Sequence, residues 1–215
     1  MTTNLITITD PRSAVAEAYR RLRTNLEFAS LDEPLRTLLV TSAGPDAEKS
    51  TMLANLAVSI AQAGRRVILV DSDLRQPRLH DVFGLDNQEG LTTAVGQASG
   101  DVPLQQSGVN GLRVLTAGPL PDVPVDLIAS PAMETLIATL SEQADIVLFN
   151  APPVVTVTDA AVLASKVDGV LLLVNAGCTR REYAQRAKAM LERVHARLLG
   201  AVLTNAPHDA ALLQV

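Results

Sequence analysis

Short, unbroken apolar runs recur along the chain, separated by stretches whose apolar positions repeat every three or four residues. Val67-Ile68-Leu69-Val70 and Ile146-Val147-Leu148-Phe149 contain no alternating polar position, the pattern of strands buried on both faces. Strands are expected at 37–41, 67–71, 112–116, 146–150, 169–174 and 198–204. Helical periodicity occupies 50–63, 125–140, 159–165 and 180–194. A further helical stretch at 14–29 precedes the first strand, and Asp10-Pro11 supplies its start. Strand–helix alternation of this kind builds βαβ units. The fold class is therefore α/β, a single-domain three-layer sandwich with a mainly parallel central sheet. No internal repeat or low-complexity linker interrupts it. Residues 36–206 read as one domain, 1–35 as an N-terminal extension carrying the first helix, and 207–215 as a short tail.

In parallel sheets ligands bind at the carboxyl ends of strands, and the chemistry-bearing segments all fall there. The first is Thr41-Ser42-Ala43-Gly44-Pro45-Asp46-Ala47-Glu48-Lys49-Ser50-Thr51, between a strand and a helix. It ends like the phosphate-binding loop G-x-x-x-x-G-K-[ST], whose bare backbone N–H groups wrap phosphates. Lys49 and Ser50 stand where the phosphate lysine and the magnesium hydroxyl belong, but Ala43 and Glu48 take the two glycine positions. The fold is thus P-loop NTPase-like, with Gly44, Pro45, Asp46, Ala47, Glu48, Lys49, Ser50 and Thr51 as the candidate cofactor-binding loop.

The second segment is the strand ending Asp71-Ser72-Asp73-Leu74-Arg75. Carboxylates at i and i+2 at a strand end suit a hydrated Mg²⁺ and the orientation of a nucleophile. Alone, the pattern equally fits a turn or a helix cap. The third is the strand that ends in Asn150, where such strands normally deliver an aspartate to the magnesium shell; a neutral amide has lost that charge.

Composition narrows the partners. Hydrophobic residues make up 47% of the 215 residues but aromatics only 2%, so Leu, Val, Ile and Ala must build the core. A net charge of −5 supplies no basic field and argues against nucleic acid. Cys178 is the sole cysteine, which excludes an internal disulfide and reads as a small buried hydrophobe. No apolar run reaches the roughly 18 residues of a membrane span. Met1-Thr2-Thr3-Asn4 lacks the basic and apolar regions of a signal peptide. The expected location is cytoplasmic, with recruitment to the inner face of the plasma membrane left open.

Taken in order, several segments resemble the cytoplasmic kinase domain of bacterial protein-tyrosine kinases, the polysaccharide-regulating P-loop kinases allied to the MinD and ParA ATPases. They are Glu17-Ala18-Tyr19-Arg20-Arg21-Leu22-Arg23-Thr24-Asn25, residues 70–85, Leu115-Thr116-Ala117-Gly118-Pro119-Leu120-Pro121, Ala151-Pro152-Pro153 and Thr158-Asp159-Ala160. The resemblance implies ATP and Mg²⁺ as cofactors, with Lys49 on the β- and γ-phosphates. Ser50, Asp71 and the position of Asn150 would serve the metal. Asp73 would accept the proton of a tyrosine hydroxyl, and Arg75 would steady it. Glu17, Arg20 and Arg23 match a motif that packs one subunit on the next, implying a homo-oligomer. Further partners implied are an active kinase relative and the cytoplasmic tail of a membrane polysaccharide co-polymerase.

Four departures stand against that pattern. Asp46 and Glu48 replace glycines and Ala47 a glutamate; Asn150 replaces an aspartate; the only tyrosines are Tyr19 and Tyr183; and Pro124-Val125-Asp126-Leu127-Ile128-Ala129-Ser130 is a loosened family stretch. A non-glycine residue forced into a left-handed conformation costs about 1–2 kcal/mol. A carboxylate about 5 Å from a phosphate charge repels it by about 3 kcal/mol at a dielectric near 20. Two functions follow: a pseudokinase with weak or no ATP binding that acts by assembly, or an active kinase or ATPase using Lys49, Ser50, Asp71 and Asp73. A DNA-partitioning ATPase would need a basic surface, which the charge disfavours.

Overall fold

The computed structural model describes residues 4–29, 31, 33–45, 48–96 and 101–206. Among them the strands are β1 (Thr37–Ser42), β2 (Val67–Asp71), β3 (Gln105–Gln106), β4 (Leu112–Leu115), β5 (Ile146–Asn150), β6 (Gly169–Asn175) and β7 (Leu198–Thr204). They form one sheet in the order β3-β4-β2-β5-β1-β6-β7. All pairings are parallel except that of the short edge strand β3 with β4. The six strands expected from the apolar runs are all present, with ends that differ by no more than one residue. The edge strand β3 was not expected: two polar residues carry no apolar run.

Each strand splits its side chains between two cores, because successive residues point to opposite faces. Leu39, Ile68, Val70, Val147, Phe149 and Leu172 face one layer. Leu38, Val40, Leu69, Leu148, Leu171 and Leu173 face the other. β5 lies mid-sheet and is buried throughout. Each large apolar side chain there contributes about 1.5–3 kcal/mol. That burial fixes the strand that ends in Asn150.

The helices are α1 (Ile6–Thr9), α2 (Ala14–Ala29), α3 (Lys49–Gln62), α4 (Leu79–Phe83), α5 (Leu91–Gly96), α6 (Pro124–Ala129), α7 (Pro131–Gln143), α8 (Asp159–Ala164) and α9 (Arg181–Arg193). α3 is buried nearly all round, since the sheet covers one side and α1 and α2 the other. Leu5 and Leu26 join its core, and Thr7 binds the Asn55 carboxamide through N and Oγ1, at 3.1 and 2.9 Å. The segment read as an extension therefore supplies the outer cover of the helix that begins at Lys49.

Two expectations are corrected. The single helix at 125–140 is two, α6 and α7, broken at Ser130 (φ −65, ψ 151). Pro131 pushes the preceding residue out of the helical region. The freed Ser130 hydroxyl then caps α7 by accepting from the Met133 N–H at 3.2 Å. Cys178 is exposed rather than buried, because it sits in the turn between β6 and α9.

Candidate functional site

β2, β5 and β1 are adjacent, so their carboxyl ends converge. The register sets Asn150 beside Asp71 on one flank and Val40 on the other. The chain leaving β1 turns into α3, whose first residues are Lys49 and Ser50. Lys49, Ser50, Asp71, Asp73 and Asn150 thus meet in one place, none more than 6% exposed.

A closed network joins them. Lys49 Nζ donates to Asn150 Oδ1 at 2.7 Å and to Asp73 Oδ2 at 3.2 Å. Lysine has no acceptor, so it must meet the oxygen of the Asn150 amide, and that turns Nδ2 the other way. Asn150 Nδ2 donates to Asp71 Oδ1 at 2.9 Å and to Ser50 Oγ at 3.2 Å. Asp71 Oδ2 accepts from the backbone N–H groups of Leu79 and Arg78, at 2.8 and 2.9 Å. Burial pushes the Asp71 carboxyl above the ordinary carboxylate range. The bonds from Leu79, Asn150 and Arg78, and then the Lys49 charge, pull against that rise. Asp73 Oδ1 accepts from the Gln76 N–H at 3.1 Å.

Arg75 is held at the rim by a two-pronged bond to Asp159, at 2.8 and 3.1 Å. Asp159, part of the Thr158-Asp159-Ala160 segment, is thus a site residue not expected from the sequence. The available signal was an acidic first residue on a helix following a strand-end Ala151-Pro152-Pro153.

Of the loop, Asp46 and Ala47 lie outside the described residues. Pro45, Lys49, Ser50 and Thr51 line a cleft of about 630 Å³ with Asp73 and Arg75. Glu48 instead lines a separate cavity of about 860 Å³ with Tyr19, between α2, α3 and β7. The Tyr19 phenol is pushed up to about 12, first by burial and then by the Glu48 charge. Glu48 adopts φ −94 and ψ −6, and Gly44 is not left-handed either. The expected left-handed strain at Glu48 is therefore absent, and its charge faces the α2 side rather than the cleft. The described residues of the loop include no left-handed position.

The interface candidates make these contacts within the chain. Arg20 Nε donates to Glu17 at 2.7 Å, and its Nη1 to the Pro11 carbonyl at 2.9 Å. Arg23 Nη1 donates to the Ser59 carbonyl at 3.0 Å. Among the described residues no group of three or more His, Cys, Asp or Glu could hold a metal ion. No helix among them is long and apolar enough to cross a membrane.

Comparison with known proteins matches residues 35–207 to the ParA family model, described as NUBPL iron-transfer P-loop NTPase. Tyrosine-protein kinase YwqD of Bacillus subtilis is 41% identical over 204 residues, covering 94% of this chain and 86% of that protein. The crystal structure of the chimerical protein CapA2B2 superposes with TM-score 0.91 at 36% identity, over 97% of this chain and 92% of that one. The kinase domain of the Escherichia coli tyrosine kinase ETK superposes with TM-score 0.88 at 30% identity, over 97% and 84%. Fold and sequence agree: the chain belongs to the bacterial protein-tyrosine kinases, within the ParA-type P-loop NTPases.

Proposed function

We propose that this domain is a pseudokinase of polysaccharide regulation, which binds ATP and Mg²⁺ weakly or not at all and acts by assembly. The carrying observation is the Lys49–Asn150 bond and what it does to the rest of the site. A triphosphate needs the lysine, which is held by Asn150 and Asp73. A magnesium ion needs oxygen lone pairs on Ser50 and Asp71, and both face the N–H groups of Asn150. The residues present, as arranged, do not fit a magnesium–triphosphate. The intact Glu17, Arg20 and Arg23 motif supports assembly with a second copy, an active kinase relative or a co-polymerase tail at the inner membrane face. Isothermal titration with ADP and Mg²⁺ tests the proposal: no measurable heat is expected, and micromolar binding would defeat it.

A second reading, an active tyrosine kinase or ATPase, is favoured by one observation. Lys49, Ser50 and Asp73 still share an open cleft beside Arg75. It fails if purified protein with Mg–ATP yields neither phosphotyrosine nor free phosphate, with or without a partner tail.

A further inference from the structure

We propose that the Asn150 carboxamide is a built-in replacement for a metal ion, completing the buried site without cation or nucleotide. An aspartate here, the residue that the family pattern places at this strand end, would bring back the need for a cation that the amide removes. The inference deepens the closed-site reading above and rests on it.

The geometry carries the argument. Asn150 is fully buried, and its amide meets three partners at once: Lys49 through Oδ1, and Asp71 and Ser50 through Nδ2. Lys49 sets the direction of the amide, so the donor end cannot turn away from Asp71 and Ser50. A bound cation and this NH₂ group would satisfy the same two oxygens, one by coordination and the other by hydrogen bonding. Neighbouring oxygens around an octahedral Mg²⁺ at about 2.0–2.1 Å stand about 3 Å apart. The Nδ2 atom lies 2.9 Å from Asp71 Oδ1 and 3.2 Å from Ser50 Oγ. An oxygen in its place would therefore have the spacing of adjacent metal ligands. With no cation, that oxygen and Asp71 Oδ1 would face each other as two acceptors with no hydrogen between them, where the amide now donates one. The neutral amide removes that conflict.

The test compares thermal unfolding of the full chain, unmodified and as N150D, in chelator and in millimolar Mg²⁺ or Mn²⁺ without nucleotide. The unmodified protein should melt at the same temperature in both. N150D should melt lower in chelator and recover by about 5–10 °C when the metal is well above its dissociation constant. N150A removes the amide without supplying an oxygen, and should melt low with or without metal. A metal-indifferent N150D overturns the inference, as does an unmodified chain stabilised by metal to the same extent. If N150D does not fold, amide NMR of the unmodified protein decides. The Asn150 side-chain NH₂ signals should exchange slowly with solvent and stay in place on addition of Mg²⁺, and their displacement by Mg²⁺ overturns the idea. The two proposals fail separately: ADP binding by the unmodified chain sinks the pseudokinase reading, and a metal-indifferent N150D sinks only this one.

Discussion

Replacing Lys49 with methionine is the sharpest probe of the closed network. In a nucleotide enzyme this lysine serves the ligand, and its loss is felt as affinity. Here the side chain is 3% exposed and joins Asp73 and Asn150 inside the protein. Methionine matches its length but donates nothing, so the Asp73 carboxylate and the Asn150 Oδ1 lose their shared donor. Breaking a buried ion pair from one side costs about 3–5 kcal/mol. The Arg75 guanidinium also feels the Asp73 charge, which places the loss near the low end, about 3 kcal/mol. For a domain of this size that corresponds to a fall of about 6–12 °C in midpoint. Thermal unfolding followed by circular dichroism, without nucleotide, reads it directly. A K49M midpoint within a degree or two of the unmodified protein would refute the reasoning, since the lysine would then hold nothing together.

Three other outcomes follow from the same geometry. R20A/R23A should lose about 1–3 kcal/mol, since Arg20 pairs with Glu17 near the surface while the half-buried Arg23 gives up its bond to the Ser59 carbonyl, yet shift any oligomer to monomer in sedimentation velocity; an unchanged assembly would return α2 to a face that serves its own chain. Asp71, with its carboxyl raised by burial, should titrate above exposed carboxylates in ¹³C NMR. The sign follows from linkage: the folded state holds this proton more tightly than the unfolded one, so the Asp71 contribution to stability falls as pH rises from the ordinary carboxylate range through the raised value. A midpoint at or below 3.8, its unshifted value, would contradict that. N150D should become metal-responsive, as described above.

The sheet was legible because its strands are buried on both faces, so Val67–Asp71 and Ile146–Asn150 read as unbroken apolar runs. The short helices α4 and α5 were not, since five or six residues carry too little periodicity, although the left-handed Gly84 marks where α4 ends. The break at Ser130 was written in Ser130-Pro131, and the apolar spacing on either side concealed it. Of the site, the convergence of Lys49, Ser50, Asp71, Asp73 and Asn150 followed from strand ends and motif spacing. Two things were out of reach. Lys49 and Asn150 are 101 residues apart, and their bond depends on β5 lying between β1 and β2, which strand order alone decides. The outward path of Glu48 toward Tyr19 depends on α2 covering α3, a long-range packing that spacing along the loop does not reveal.

Crystals grown with a non-hydrolysable ATP analogue and Mg²⁺ in excess put the central idea to its most direct test. The account predicts that Lys49 Nζ remains about 2.7 Å from Asn150 Oδ1, with no density for triphosphate or metal in the cleft. A triphosphate bound by Lys49, with magnesium on Ser50 Oγ and the Asn150 amide turned aside, would contradict it.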